Sequence, residues 1–326
     1  MTMKVIIPVA GIGKRLKPHT DSIPKPLLEV GGQPTLDHVV KPLDGLEVDE
    51  VVFVVGHLGE QIRSYVQNNY SFKVRFVEQD HLMGLGYAVS MAMQEIDSGP
   101  VLILLGDTIV DCDMQKFVNA GDYVLGVHEV PDPERFGIVE LSDGYVTSVE
   151  EKPEKPKTNL ALIGLYYFKD ATGLKKELQR LVASGRTTGG EIQLTDALAA
   201  MLDGDSRFVA YDTGHWYDCG TKETLLATNR FLLGKMDSAG PRDGCVLIPP
   251  VHLDATAVVT DSEIGPHVSI GAGANLNRCV ISNSIVGRDC ELENVAIKNS
   301  LLGPKAIVRN RSGVLNIGEH SEIEGG

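Results

Sequence analysis

From Lys4 to Val9 the chain is an unbroken apolar run rich in β-branched residues, which predicts a buried strand that empties into glycines at 11 and 13. Comparable apolar runs recur at Val51 to Gly56, Val74 to Val77 and Val101 to Leu105, while Leu58 to Asn68 and Leu85 to Ile96 carry apolar residues at helical spacing. Strand alternates with helix through about residue 230. That order predicts a three-layer, Rossmann-like α/β domain with a mostly parallel sheet, whose ligands bind beyond the carboxyl ends of the strands.

The period changes after Phe231. Pro241, Gly244, Pro249 and Pro250 mark a connection, and apolar residues then return every six positions. Val258, Ile264, Ile270 and Leu276 keep that step, as do Val280, Val286 and Leu292, and again Leu302, Val308 and Val314, with Gly265, Gly271, Gly287 and Gly303 directly after inward positions. An aliphatic residue inside and a glycine next, every six residues, predicts a left-handed parallel β-helix of hexapeptide repeats, about four coils long. The expected organisation is a catalytic α/β domain over 1–232, a linker over 233–245 and a β-helix over 246–326.

Composition narrows the partners. The 326 residues are 43% hydrophobic, enough for a folded chain of two domains, and carry a formal charge of −14. Nucleic acid and anionic membranes select basic surfaces, so neither is expected as a partner. Cys112, Cys219, Cys245, Cys279 and Cys290 form no Cys-x-x-Cys pair and no zinc spacing, and read as reduced structural thiols. The first strand starts almost at once, with no cleavage site before it, and no apolar stretch approaches the length of a membrane span, which makes the cytoplasm the expected compartment. The nine histidines have no serine or cysteine partner in a recognised order, so no nucleophilic triad is expected.

An acidic chain that handles anions must gather its cations locally, and the run from Val9 to Pro18, closing at Ile23-Pro24-Lys25-Pro26, does so. Without Cβ atoms, Gly11 and Gly13 let backbone N–H groups approach a polyphosphate. Arg15 offers a rigid fork for phosphate oxygens and Lys25 a mobile point charge. A Walker loop needs Lys then Ser or Thr after its second glycine, and here Lys14 precedes Arg15; a dinucleotide fingerprint needs a third glycine where Leu16 stands. Asp107, in Leu104-Leu105-Gly106-Asp107, ends an apolar strand, where it suits either a magnesium ligand or a turn aspartate.

The spacing of Gly11, Gly13, Arg15, Leu16, Pro18, Thr20 and Pro24-Lys25-Pro26 resembles the signature of the sugar-1-phosphate nucleotidyltransferases, or sugar-nucleotide pyrophosphorylases. The resemblance implies transfer of a nucleotidyl group from an NTP to a sugar 1-phosphate, releasing pyrophosphate. It implies nucleotide binding by Ala10, Gly11 and Gly13, with Arg15 and Lys25 as catalytic cations. Leu105-Gly106-Asp107 and Trp216-Tyr217-Asp218-Cys219-Gly220 resemble the family's metal elements, which makes Asp107 and Asp218 the implied pair for Mg2+. Gln79 with Gly84-Leu85-Gly86 resembles the base-reading segment of uridylyl- and thymidylyltransferases and favours UTP or dTTP. Glu150-Glu151-Lys152-Pro153 resembles the sugar-phosphate element, so that Glu151 accepts from sugar hydroxyls and Lys152 holds the phosphate, with Gly137, Asn159 and Glu191 as further sugar-pocket candidates. Tyr166 and Trp216 read as packing residues. Glucose 1-phosphate is the default acceptor. A guanylyltransferase acting on mannose 1-phosphate, a fused hexapeptide acyltransferase and a regulatory subunit that binds without turnover are the alternatives. The β-helix is expected to join subunits into a homo-oligomer.

Overall fold

The sheet is built from nine strands: β1 (Met3–Pro8), β2 (Val48–Val55), β3 (Val74–Glu78), β4 (Val101–Leu104), β5 (Tyr123–Glu129), β6 (Gly137–Ser142), β7 (Tyr145–Glu151), β8 (Leu160–Phe168) and β9 (Val209–Asp212). In this computed structural model, which describes residues 2–204 and 206–325, their order is β3-β2-β1-β4-β8-β5-β9-β7-β6. Two compact units divide the chain, Met1–Gly11 with Val39–Trp216 and Ile12–His38 with Tyr217–Gly326.

In the first unit β1 to β4 are parallel, as their alternation with helices requires; nearly all the apolar residues of β1, β2 and β4 are buried on both faces, while those of the edge strand β3 are half-buried. Helices α1 (Gly59–Asn69), α2 (Leu85–Gln94), α3 (Thr172–Ser184) and α4 (Leu194–Asp203) belong to this unit. Beyond β4 the sheet departs from the expected mostly parallel pattern. β8 runs antiparallel to both β4 and β5, and β7 is antiparallel to β6 and β9. For the β6–β7 pair alone the reason is local. Asp143 and Gly144 both take positive φ, the two-residue turn that folds β6 straight back onto β7 and leaves no room for a crossover helix.

Glu50, only 2% exposed on β2, is ringed by Arg75 at 3.3 Å, Lys73 at 3.4 Å and Lys4 at 3.6 Å. Burial alone raises its carboxyl, but the Arg75 hydrogen bond and the three cations outweigh burial and hold it below the ordinary glutamate value.

In the second unit, residues 246–324 form three ladders of parallel strands, five strands to a ladder, an arrangement consistent with a parallel β-helix. The coil is tighter than six-residue repeats on three faces demand. Val251 pairs with Val268, a step of 17 (251 to 268); Val268 with Ser284, a step of 16; Leu301 with Asn316, a step of 15. Each shortened turn slips the six-residue phase, and a one-residue slip in a strand exchanges its faces. Hence seven of the ten expected inward residues are buried, while Val258, Val280 and Val314 are more than half exposed and Ile281 and Leu315 fill the interior instead. Gly271, Gly287 and Gly303 stack at one corner, where a Cβ on any of them would stand 2.6 to 2.8 Å from backbone nitrogen of the next turn. All five cysteines are free thiols, and burial pushes Cys290 up to about 12 and Cys112 to about 11. Among the described residues no helix is long and apolar enough to cross a membrane.

Replacing Glu50 by Gln is expected to destabilise the protein at pH 7 by about 1 to 3 kcal/mol, the range for hydrogen bonds to charged groups. Because the folded carboxyl titrates below the unfolded value of about 4.3, this stability is present above that value and lost as pH falls through the folded one. Urea unfolding at neutral pH and near pH 3 should show the gap between wild type and variant closing on acidification; a constant gap refutes the assignment.

Candidate functional site

Parallel strands deliver their following loops to a common edge, and in the first unit three such loops carry candidate residues. β1 ends where Val9 N–H donates to the Val54 carbonyl at 2.8 Å, and the chain passes through Ala10 to Gly11, around which a Cβ would meet nothing within 4 Å. β3 ends at Gln79, whose N–H donates to the Val55 carbonyl at 2.7 Å. Its side chain is 8% exposed and donates through Nε2 to the His81 carbonyl at 2.9 Å, within its own loop. β4 leads into Gly106, where a Cβ would press on the Val9 side chain and stand 3.1 Å from the Pro8 carbonyl oxygen. Only glycine lets that turn lie against the start of the glycine loop, and the turn presents Asp107, which receives the Thr108 hydroxyl at 3.4 Å.

A second cluster of the same unit brings together most of the remaining candidates. Gly84, at φ 101°, precedes α2, and a Cβ there would stand 2.7 Å from both the Glu191 Cβ and the Ile192 carbonyl oxygen. Ile192 N–H donates to the Met83 carbonyl at 2.7 Å, and Gly86 N–H to the Ile192 carbonyl at 2.8 Å, so segments 83–86 and 191–193 are locked together. Gly137 pairs with Glu151 across the β6–β7 hairpin, and its missing Cβ leaves room for the Thr195 methyl, 2.7 Å from that point. The Thr195 hydroxyl donates to Glu151 Oε2 at 3.0 Å, while Lys152 Nζ lies 3.4 Å from Glu151 Oε1. Thr195 is the residue that motif reading missed as a partner. Its only signal was its place four residues after the sugar-pocket candidate Glu191.

Glu191 is exposed and its Oε2 accepts from Gln193 at 3.2 Å. Asn159 is exposed too, and its backbone carbonyl accepts from Val130 N–H. Tyr166 is 3% exposed, with burial and the Glu151 charge both raising its phenol, and Trp216 packs edge-on to Phe136 at 5.4 Å.

The second unit holds the two signature cations, Arg15 and Lys25. Gly13, at φ 68°, turns the chain into a short 3-10 segment, Lys14–Leu16, and its carbonyl accepts from Leu16 N–H and from the Thr20 hydroxyl, both at 2.9 Å. A Cβ on Gly13 would stand 2.9 Å from the Thr20 methyl and 3.2 Å from Lys25 Cβ, which sets Lys25 beside the turn. At Gly220 a Cβ would lie 2.7 Å from each carboxylate oxygen of Asp218 and 2.8 Å from Arg15 Nη2. A signature cation and a carboxylate from far downstream therefore converge on one space that glycine keeps open. Helix α5 (Lys222–Gly234) follows, capped by the Thr221 hydroxyl.

The family profile described as nucleotidyl transferase matches residues 4–235, a span that covers every residue of both clusters. The chain belongs to the nucleotidyl transferase family. This nucleotidyl transferase is 34% identical over 237 residues to the bifunctional protein GlmU of Methanocaldococcus jannaschii, a match covering 72% of the chain and 56% of that relative. It thus spans little more than half the length of the GlmU protein. It is 29% identical over 358 residues to a glucose-1-phosphate thymidylyltransferase of Streptomyces griseus, covering 99% of both. The crystal structure of a UDP-glucose pyrophosphorylase complexed with UDP-glucose superposes with a TM-score of 0.63 at 23% identity, covering 72% of this chain and all of that one, a likeness of fold.

An alanine at 220 has no room beside Asp218 and Arg15. A crystal structure of Gly220→Ala is expected to show one of those side chains displaced with the surrounding backbone unchanged; both side chains in place would refute the reading of Gly220 as a cradle.

Proposed function

We propose that this protein transfers a nucleotidyl group from an NTP, UTP or dTTP, to a sugar 1-phosphate, with glucose 1-phosphate as the default acceptor, and releases pyrophosphate. Membership of the nucleotidyl transferase family supports the reaction class, and the full-length similarity to a protein named glucose-1-phosphate thymidylyltransferase supports the substrates. The observation that carries it is the convergence of Arg15 and Asp218 over Gly220.

Both reactants are anions that repel each other, so catalysis consists mainly of positioning and charge neutralisation. Backbone N–H groups at Ala10, Gly11 and Gly13 would receive the triphosphate, and the Arg15 fork would hold the oxygens of the leaving pyrophosphate. Lys25 and Lys152 would offset the repulsion as the sugar phosphate arrives. Glu151, oriented by the Thr195 hydroxyl and next to Lys152, would accept from sugar hydroxyls, with Gly137, Asn159 and Glu191 completing that pocket. Gln79 and Gly84 would border the base. The sugar phosphate is already an anionic nucleophile at neutral pH, so no protein base is needed.

The donor set fits magnesium. Asp107 and Asp218 offer hard carboxylate oxygens, each at a turn where a glycine withholds a Cβ, and among the described residues no group of three or more His, Cys, Asp or Glu forms a ready cage. Such a site would hold Mg2+ through the two aspartates plus phosphate oxygens. The ion would supply charge neutralisation at the phosphates.

The same reading assigns catalysis to 1–232, a linker to 233–245, and a left-handed β-helix that joins copies of the chain to 246–326. An aqueous cytoplasmic setting suits its nucleotide substrates.

Pyrophosphate release measured with magnesium across five NTPs and several sugar 1-phosphates is expected to give one strong row with UTP or dTTP. Asp107→Asn should lower turnover by roughly a hundredfold or more, the scale for losing an electrostatic stabiliser of a transition state, with nucleotide binding largely retained. Near-normal turnover would remove Asp107 from the metal pair, and silence of the wild type with every substrate would overturn the transferase reading.

A further inference from the structure

Within the second unit, the segment that carries Arg15 and Lys25 runs along one ladder of the parallel coil and meets it at or beside four of its five strands. That ladder consists of Val251–Leu253, Val268–Ile270, Ser284–Val286, Leu301–Leu302 and Asn316–Ile317. At its first strand the His252 ring fills the space that a Cβ on Gly32 would need. At the second, Ser269 donates its hydroxyl to Asn229 Oδ1 at 2.6 Å, and the same oxygen accepts Gly31 N–H at 2.8 Å. Just past the third stands Arg288, whose charge opposes the burial that raises the Glu29 carboxyl. At the fifth, the buried ring of His19, 2% exposed, donates from Nε2 to Asn316 Oδ1 at 2.9 Å. Residues 19 to 32 thus follow the ladder from its last strand to its first, across strands spaced about 4.8 Å apart.

The last contact closes the ladder in a specific way. The glycine column Gly271, Gly287, Gly303 exists because the next turn's backbone presses on each, and Gly303 presses on Gly318 and Glu319. At Gly318 the partner changes: a Cβ there would stand 3.2 and 3.3 Å from the ring carbons of Pro18. Pro18 and His19 lie between the two halves of the glycine turn, since Thr20 binds the Gly13 carbonyl and Leu16 closes onto the same oxygen.

We propose that Asn316 is a positioning residue for nucleotide binding: together with Gly318 it clamps Pro18 and His19, and through Thr20 fixes the Gly13–Arg15 turn in the shape that receives a triphosphate. The proposal rests on the functional reading above for its substrate, and not for the clamp itself. Asn316 touches neither reactant, so its influence passes through His19 and Thr20. The coil then has a second task besides any assembly role. It is a splint for the signature segment, gripping it at the end of that ladder.

The test compares full-length wild type, Asn316→Ala, Asn316→Asp, which keeps the acceptor oxygen, and Asn310→Ala, which removes a similar 2.8 Å surface bond to Asn294 from another corner of the coil. Asn316→Ala is expected to raise KM for the NTP about fivefold, with kcat and KM for the sugar 1-phosphate little changed, as the loss of one modest hydrogen bond implies. Asn316→Asp should restore the NTP KM, and Asn310→Ala should match wild type. Amide hydrogen exchange in residues 14–23, measured without substrate, should quicken in Asn316→Ala alone. Unchanged exchange there, or equal change in Asn310→Ala, overturns the clamp. Should the wild type show no transferase activity, the functional reading fails while exchange still decides the clamp.

Discussion

Parallel pairing of β1 with β2 on one side and β4 on the other is the constraint on which the first unit depends. Val5, Ile6 and Ile7 are fully buried between those neighbours, with both faces of the strand covered. With the strands so paired, the loops after β1, β3 and β4 leave from one edge, and Ala10, Gly11, Gln79 and Asp107 follow. Gly106 then allows the Asp107 turn to lie against Pro8 and Val9. These candidate residues stand where strands end.

The second unit solves a different problem. A parallel coil offers no large core, and its interior is a narrow stack to which every ladder contributes aliphatic residues such as Ile264, Ile281, Leu292, Val308 and Val286, all buried. Stability comes from ladder bonds repeated at each turn, from the glycine corner, and from residues held in the left-handed region at the other corners, among them Asn283, Asn294, Asn299 and Asn310. Asparagine tolerates that backbone and adds a side-chain ladder, with Asn283 bonded to Asn299 and Asn294 to Asn310. The shortening of the turns from 17 to 15 residues carries Asn316 and Gly318 to the end of the ladder, where Pro18 and His19 rest.

Electrostatics follow the same economy. In a chain of net charge −14 the candidate cations stand beside carboxylates: Arg15 faces Asp218 over Gly220, and Lys152 lies by Glu151. Elsewhere charge is structural. Glu50 with Arg75, Lys73 and Lys4 ties three neighbouring strands.

Local patterns determined much of this protein from the sequence alone. Buried strands announce themselves as apolar runs because both faces are covered, as at Lys4, Val51 and Val101; these and the half-buried edge run at Val74 became strands within a few residues of their expected bounds. Glycines that answer to a close approach, such as Gly13, Gly84, Gly106 and Gly137, stood in recognisable spacing because no other residue fits there. Three things were decided only by the tertiary structure: the antiparallel half of the sheet, the outward turn of Val258, Val280 and Val314, and the partners Thr195, Asn229 and Asn316. Each depends on residues far apart in the chain, on how many residues one turn of coil contains or which carbonyl lies across a ladder, and no local period records that distance.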